Sequence, residues 1–421
     1  MITRLRKTHL LGWSLIALGL TLVVALTAMG GAFAAISVWP AIGAESSDAL
    51  REFIGDRAVA QLEAFAFQVE DRVHQWEYQV SGAPVAAPWT TTSSGDTLPA
   101  QDHYSAPGIS AHGGGAPAAS PGVAKPHGPQ AGLADPVAST DSSWPLASIP
   151  ALGSMTGEGR WMPYIQDQSG RPVAARTFLQ PDPQRPYVVA AVVAFDLTHT
   201  RLHFVLGSDE PQSPVQIDRT GQIGAGDMRP GFLLADFNGG FKARHGHFGA
   251  MVNGVMVLPP RDGLGTVAMY DDGQVAIGEW GTDIVPSPRL STWRQNGPLL
   301  IDTGQINPHT ADGDPSDWGY TVNHATATWR SGIGISADGH ALFYVAGPGL
   351  TLPTLAKALA DAGAAEAIQL DINNYWVHFD AIQSGAGGLQ AVPLLDGMKF
   401  DNNRYLKGFS RDFFYVTSDA G

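Results

Sequence analysis

The chain has 421 residues, 44% hydrophobic and 15% charged, with 50 Gly and 30 Pro; this exceeds one ordinary domain and points to a turn-rich β domain plus unstructured chain. A formal net charge of −14 argues against nucleic-acid binding, because phosphates are repelled by an acidic surface. Cysteine is absent, which excludes disulfides, thiolate nucleophiles and cysteine-ligated metal sites.

Residues 1–40 read as a short cytoplasmic N-terminus and a transmembrane anchor. Arg4, Arg6 and Lys7 precede an uncharged stretch from Leu10 to Val38. About 20 apolar residues cross the hydrocarbon layer, and basic residues before the stretch place the N-terminus inside. A cleaved signal peptide is the competing reading, with Ala32-Phe33-Ala34 as a small-x-small cleavage site. Either reading exports the remainder, so the expected location is the extracytoplasmic face of the cell membrane.

Residues 46–80 hold one glycine and no proline. Leu50, Ile54, Ala58, Leu62, Phe65, Val69, Val73, Trp76 and Val80 recur at spacings of three and four, which predicts a juxtamembrane amphipathic helix. Its apolar stripe packs on its own domain, or it serves a coiled coil or another protein partner. Residues 81–150 are dominated by Pro, Gly, Ala, Ser and Thr; such a segment buries too little apolar surface to fold alone and reads as a disordered linker. His103, His112 and His127 within it match no ordered metal site.

Residues 151–421 predict a strand-rich α+β domain, a mixed sheet with a few helices. Strands are expected at Tyr187 to Phe195, Leu202 to Leu206, Gly231 to Phe237, Phe248 to Leu258, Thr266 to Tyr270 and Val275 to Glu279. Gly332 to Ser336, Ala341 to Ala346, Ala367 to Leu370 and Asp412 to Val416 follow. Asn253-Gly254, Asp272-Gly273 and Asp338-Gly339 mark hairpin turns. One helix opens at Thr351, a capping residue, carries Pro353 in its first turn and ends at Gly363. It leads into Ala367-Ile368-Gln369-Leu370-Asp371 and delivers Asp371 to the end of a buried strand.

Three polar clusters interrupt these strands. Asp236-Phe237-Asn238-Gly239-Gly240-Phe241 ends an apolar strand in a carboxylate, an amide and two glycines. Glycines there let backbone N–H groups approach an anionic ligand, or simply make a tight turn. Asn323-His324 and Arg330 form the second: a guanidinium to grip a phosphate, or an edge salt bridge, with His324 as a proton carrier. Asp371-Ile372-Asn373-Asn374-Tyr375-Trp376 is the third, an acid beside amides and aromatics suited to acid–base work and sugar stacking, or a capped loop.

The order of these motifs resembles the phosphodiester glycosidase family over about Tyr187 to Ser418. The likeness rests on Asn238-Gly239-Gly240-Phe241, Met251-Val252-Asn253-Gly254, Gly297-Pro298-Leu299-Leu300, Arg330-Ser331, Asp338-Gly339, Gly349-Leu350-Thr351-Leu352, Leu370-Asp371 and Arg411. It implies hydrolysis of a sugar-1-phosphodiester in an envelope glycan or exopolysaccharide, without cofactor or metal. Asp371 and Asp236 would supply acid–base groups. Asn238, Gly239, Gly240, Arg330, Asn373, Asn374, Tyr375, Trp376 and Arg411 would bind substrate. The chain departs from the family after Asp371: Ile372 and Asn373 replace two glycines. A β-branched residue resists positive φ, so the alternative is a glycan-binding or scaffolding protein that has lost catalysis.

Overall fold

A computed structural model of the chain describes residues 55–81, 87–89, 146–217, 219–312, 318, 326–385, 388–398 and 401–419. The expected membrane span, residues 90–145 of the expected linker, and His324 lie outside the described residues. Among the described residues no helix is long and apolar enough to cross a membrane.

The apolar periodicity expected over residues 46–80 corresponds to helix α1 (Asp56–Ser81); its part before Gly55, with Leu50 and Ile54, lies outside the described residues. The globular part opens with β1 (Met162–Gln166), β2 (Pro172–Leu179), β3 (Ala190–Asp196) and β4 (Thr200–Val205). Then come β5 (Leu233–Asn238), the hairpin β6 (Ala250–Val252) and β7 (Val255–Leu258), β8 (Gly265–Tyr270) and β9 (Val275–Glu279). They are followed by β10 (Leu290–Gln295), β11 (Leu299–Asp302), β12 (Gln305–Ile306) and the single turn α2 (His309–Asp312). The last third holds β13 (Thr328–Ile335), β14 (Ala341–Leu350), α3 (Leu352–Ala362) and β15 (Glu366–Ile372). It closes with β16 (Phe379–Gly385), β17 (Gly388–Pro393), α4 (Arg404–Lys407) and β18 (Phe413–Ser418).

The strands form three sheets, ordered β1-β2-β3-β14-β13-β15-β11-β12, β7-β6-β10-β8-β9 and β17-β16-β5-β18-β4. Strand content dominates as expected, and each ladder between these named strands is antiparallel. β3 explains why its sequence is an unbroken apolar run. Ala191, Val193 and Phe195 enter the core shared with the two smaller sheets, while Ala190, Val192 and Ala194 face the cluster under α3. A strand covered on both faces has no reason to alternate.

α3 begins as its sequence requires. Thr351 Oγ1 accepts the Thr354 N–H at 3.3 Å, and Gly363 ends the helix at φ +104, a conformation that glycine adopts without steric cost. Leu352, Leu355, Ala356 and Leu359 are buried on the large sheet. The Asp338-Gly339 hairpin joins β13 to β14 with Ile335 opposite Leu342.

β13 starts at Thr328, four residues before the expected Gly332, and so carries Arg330 and Ser331 inside the sheet. β1, β2, β10, β11, β12, β16 and β17 are strands that the apolar pattern did not reveal. In β10 and β16 the reason is visible: Thr292, Arg294, Gln295 and Asp380 are buried polar residues that break the alternation. The ends of the expected linker are packed. Trp89 lies 6.5 Å from Phe178, ring to ring, with the Arg176 guanidinium 3.9 Å from its centroid. Ile149 is buried and bonded to Gly159.

Candidate functional site

β5 and β18 are neighbours, with Asn238 opposite Phe413, and the residues just beyond these paired ends build the site. The Gly239 N–H donates to the Asp412 carbonyl at 3.1 Å. A β-carbon on Gly239 would stand 2.7 Å from that carbonyl oxygen, so the contact admits only glycine. Gly240 packs on Asn296, whose Oδ1 accepts the Phe241 N–H and whose Nδ2 donates to the carbonyls of Gln369 and Leu370. The glycine loop is thereby fastened to the C-terminal end of β15, where Asp371 sits.

Asp371 is buried, and its Oδ2 contacts Arg411 Nη2 at 2.5 Å. The same Nη2 donates to the Gly240 carbonyl at 2.8 Å. Asp371 Oδ1 accepts the Ile372 N–H at 2.8 Å. Burial pushes the Asp371 carboxyl up to about 6 against the pull of Arg411, and the neighbouring Asp412 adds to the rise. Trp376 borders the pair. Its ring centroid lies 4.4 Å from the Arg411 guanidinium and 5.4 Å from Lys242 Nζ, and Tyr375 meets it edge-on at 4.6 Å. Asp371, Arg411, Lys242, Trp376 and the glycine loop therefore place one carboxyl, two cations and an aromatic face together.

The replaced glycines are reconciled by the backbone. Asn373 takes φ +76, and asparagine is among the few residues that accept this left-handed conformation. Its Oδ1 accepts the N–H groups of Tyr375 and Trp376. Ile372 stays in β15 and needs no positive φ. Asn374 is half-buried in the same turn.

Other expected site residues are directed elsewhere. Asn238 Oδ1 accepts from Tyr344 Oη at 2.9 Å and the His378 N–H at 3.1 Å. Its Nδ2 donates to Gly239 O and Ser331 Oγ, both at 3.0 Å. The side chain's hydrogen-bonding capacity is thus spent on the scaffold. Ser331 in turn donates to the Asp371 carbonyl at 3.1 Å, so Asn238 positions the loop and Asp371 relative to each other. Arg330 is buried and points to Gln369 Oε1, Leu350 O and Thr326 O. Burial lowers its pKa to about 10. It braces β13 against its neighbours, and no described contact joins it to Asp371.

Asp236 is fully buried, opposite Asp380 in the β5–β16 ladder. Neither of its carboxyl oxygens has a hydrogen-bond partner among the described residues, and Asp380 faces it across the ladder, so the two buried carboxyls hold a proton between them. Asp380 Oδ2 also lies 2.7 Å from His378 Nε2. Burial, then repulsion from Asp380, holds the Asp236 carboxyl well above its ordinary range. Burial lowers His378. The folded state keeps a proton that the unfolded chain has already lost, so stability falls as pH rises from the ordinary carboxylate range through the raised value. Asp236→Asn is expected to flatten that slope: the melting temperature of the variant should drop less between pH 5 and pH 8 than that of the parent chain. Equal slopes would remove the shared proton from the account.

Lys242, Asn296, His378 and Asp380 carry parts of this arrangement that the motifs did not single out. His378 and Asp380 are two apart, the spacing that puts side chains on one face of a strand, and this was the available signal. Among the described residues no cluster of His, Asp and Glu is arranged to hold a metal ion.

Among solved structures, the chain is similar to the catalytic domain of zebrafish N-acetylglucosamine-1-phosphodiester alpha-N-acetylglucosaminidase, auto-inhibited by its pro-peptide. Identity is 16%, coverage 61% of this chain and 86% of that one, and the TM-score 0.40. It is similar also to a hypothetical protein from Synechocystis at 12% identity, with 62% of each chain covered and a TM-score of 0.31. No curated protein matches the chain. The motif resemblance is borne out at the level of the family: residues 233–371, which run from the start of β5 to Asp371, match the phosphodiester glycosidase family model.

Proposed function

We propose that this chain hydrolyses the glycosidic bond of a sugar-1-phosphodiester in an envelope glycan or exopolysaccharide, working outside the cytoplasm and tethered to the membrane by residues 1–40. The observation that carries the reading is Asp371, buried at the end of β15 and held 2.5 Å from Arg411 beside Gly239 and Gly240. Arg411 and Lys242 offer positive charge to the phosphodiester. Trp376 offers an apolar face to the sugar ring. Asp371, ionised above about pH 6, takes a proton from water as the water oxygen bonds to the anomeric carbon. The anomeric C–O bond breaks, and the phosphate leaves with the bridging oxygen as a phosphomonoester. The left-handed Asn373 restores the turn that the missing glycines put in question, which favours the hydrolase over the binding protein.

The purified full chain in detergent, given a sugar-1-phosphodiester in ¹⁸O-water, is expected to release a reducing sugar carrying the label and an unlabelled phosphomonoester. Label in the phosphate, or no release from a panel of such diesters, would sink the reading. The tether is checked separately. The protein should stay with membranes through an alkaline carbonate wash, and removing residues 1–40 should free it.

A further inference from the structure

α1 presents two faces of opposite character. On one, Asp71 Oδ1 takes hydrogen bonds from Arg185 Nη1 at 3.0 Å and Tyr187 Oη at 3.1 Å, and Tyr78 packs 5.6 Å from Tyr187. Phe67, Glu70 and His74 line the same groove against Trp329 and Pro348. This polar face docks on the globular domain. The apolar stripe lies roughly 130° away around the helix at 3.6 residues per turn, and it faces outward. Leu62, Phe65, Val73, Trp76 and Val80 are 55, 55, 47, 62 and 65% exposed. A helix with a free apolar face normally buries that face and exposes its charges; here the domain takes the charged side and leaves the apolar one uncovered.

We infer that the apolar stripe of α1 pairs with the same stripe of a second copy of this chain, in a parallel, in-register coiled coil. The spacing is heptad. Leu62, Val69 and Trp76 fall at one core position and Ala66, Val73 and Val80 at the other, four and three residues apart in turn. β-branched residues at the second position suit two strands. The flanks fix the partner and its direction. Arg72 lies beside the stripe on one edge, and Glu70 and Glu77, which also border the docked groove, on the other. In a parallel pair Arg72 of one copy faces Glu77 of the next, five residues on. An antiparallel pair sets the glutamate edges against each other. The docked face lies to one side of the stripe, so the apolar residues themselves stay open to a second helix. The inference does not depend on the hydrolase reading.

The absence of cysteine from the chain makes the test free of background. Val73→Cys and Val80→Cys are introduced singly into the full chain, which is oxidised mildly in the cells that make it. In a parallel in-register pair each cysteine meets its own copy, so both variants are expected to give about tenfold more covalent dimer than Gln75→Cys, which lies off the stripe. Arg72→Glu added to Val73→Cys is expected to lower the dimer yield, and Glu77→Arg on top of that to restore it. Dimer at one of the two positions only means an antiparallel pair and overturns the inference. So do equal yields at Gln75→Cys, absence of dimer, or cross-links to a different protein. Retained melting of the globular domain in each variant shows that the comparison is made on folded chains.

Discussion

Asp371→Asn is expected to lower kcat on a sugar-1-phosphodiester by ~10²–10⁴-fold, the usual contribution of a positioned general base. The amide keeps the shape of the side chain and can accept the Ile372 N–H, but it leaves the buried Arg411 without its carboxylate, so the melting temperature should fall as well, and kcat is compared at a temperature where the variant remains folded. The pH profile distinguishes the role. A base works ionised, so activity of the parent chain should rise through about pH 6, where Asp371 titrates, and level off above. Arg411 lowers the Asp371 value; with Arg411→Gln the rising limb should therefore move to higher pH, together with a loss of rate. A limb that falls through pH 6 would mean that Asp371 acts as an acid. A profile unchanged by Arg411→Gln would separate the two residues altogether.

The half of the candidate site that the proposed chemistry needs was legible because it sits where regular structure ends. Asn238-Gly239-Gly240 closes an apolar run, and Asp371 follows a capped helix and a short strand; each break in the pattern is a local signal. Arg411 was legible only through the family's motif order, since nothing near it in sequence hints at a carboxylate partner forty residues upstream. Asp236 and Arg330 show the opposite failure. Both are polar residues in apolar strands, which is how a catalytic group looks in sequence. The structure places Asp236 against Asp380 and His378, and turns Arg330 toward carbonyls and Gln369. A buried polar residue paired within the scaffold and one aimed at a ligand give the same sequence pattern; only the third dimension separates them. Two of the strands missed in the pattern, β10 and β16, share this cause, because they spend core positions on buried polar residues. α1 adds a case in which periodicity gave the helix correctly but not the face that docks. The stripe is apolar, yet the domain takes hold of Asp71 and Tyr78. That contact, with Trp89 and Ile149 packed on the globular part at the two ends of the Pro/Gly-rich segment, holds the globular part beside α1.

The largest expected loss of stability comes from the pair beneath the glycine loop. Arg294 Nε meets Asp412 Oδ2 at 2.6 Å, with both side chains almost wholly buried. Three of the remaining guanidinium N–H groups are given to the carbonyls of Phe241, Phe248 and Gln295. Asp412→Asn removes the only carboxylate that contacts this cation among the described residues. A buried pair broken from one side costs about 3–5 kcal/mol, because the surviving charge is left without its counterion. Chemical denaturation should therefore show Asp412→Asn less stable by that amount, whereas Arg294→Met combined with Asp412→Asn should recover part of the loss, since no charge then remains to be compensated. Burial of Arg294 is what makes the effect large; an exposed pair contributes about 1 kcal/mol or less. The same substitution has a second readout at the reacting group. Asp412 is one of the charges that raise Asp371, so neutralising it should carry the rising limb of the pH profile to lower pH, opposite to the shift from Arg411→Gln. Arg294 also ties together the carbonyls on both sides of the 238–249 loop, and that loop carries Gly240 and Lys242. If Asp412→Asn lowered stability but left the limb where it stood, the pair would be a brace for the fold and nothing more; movement of the limb would make it the link through which the buried core sets the charge on Asp371.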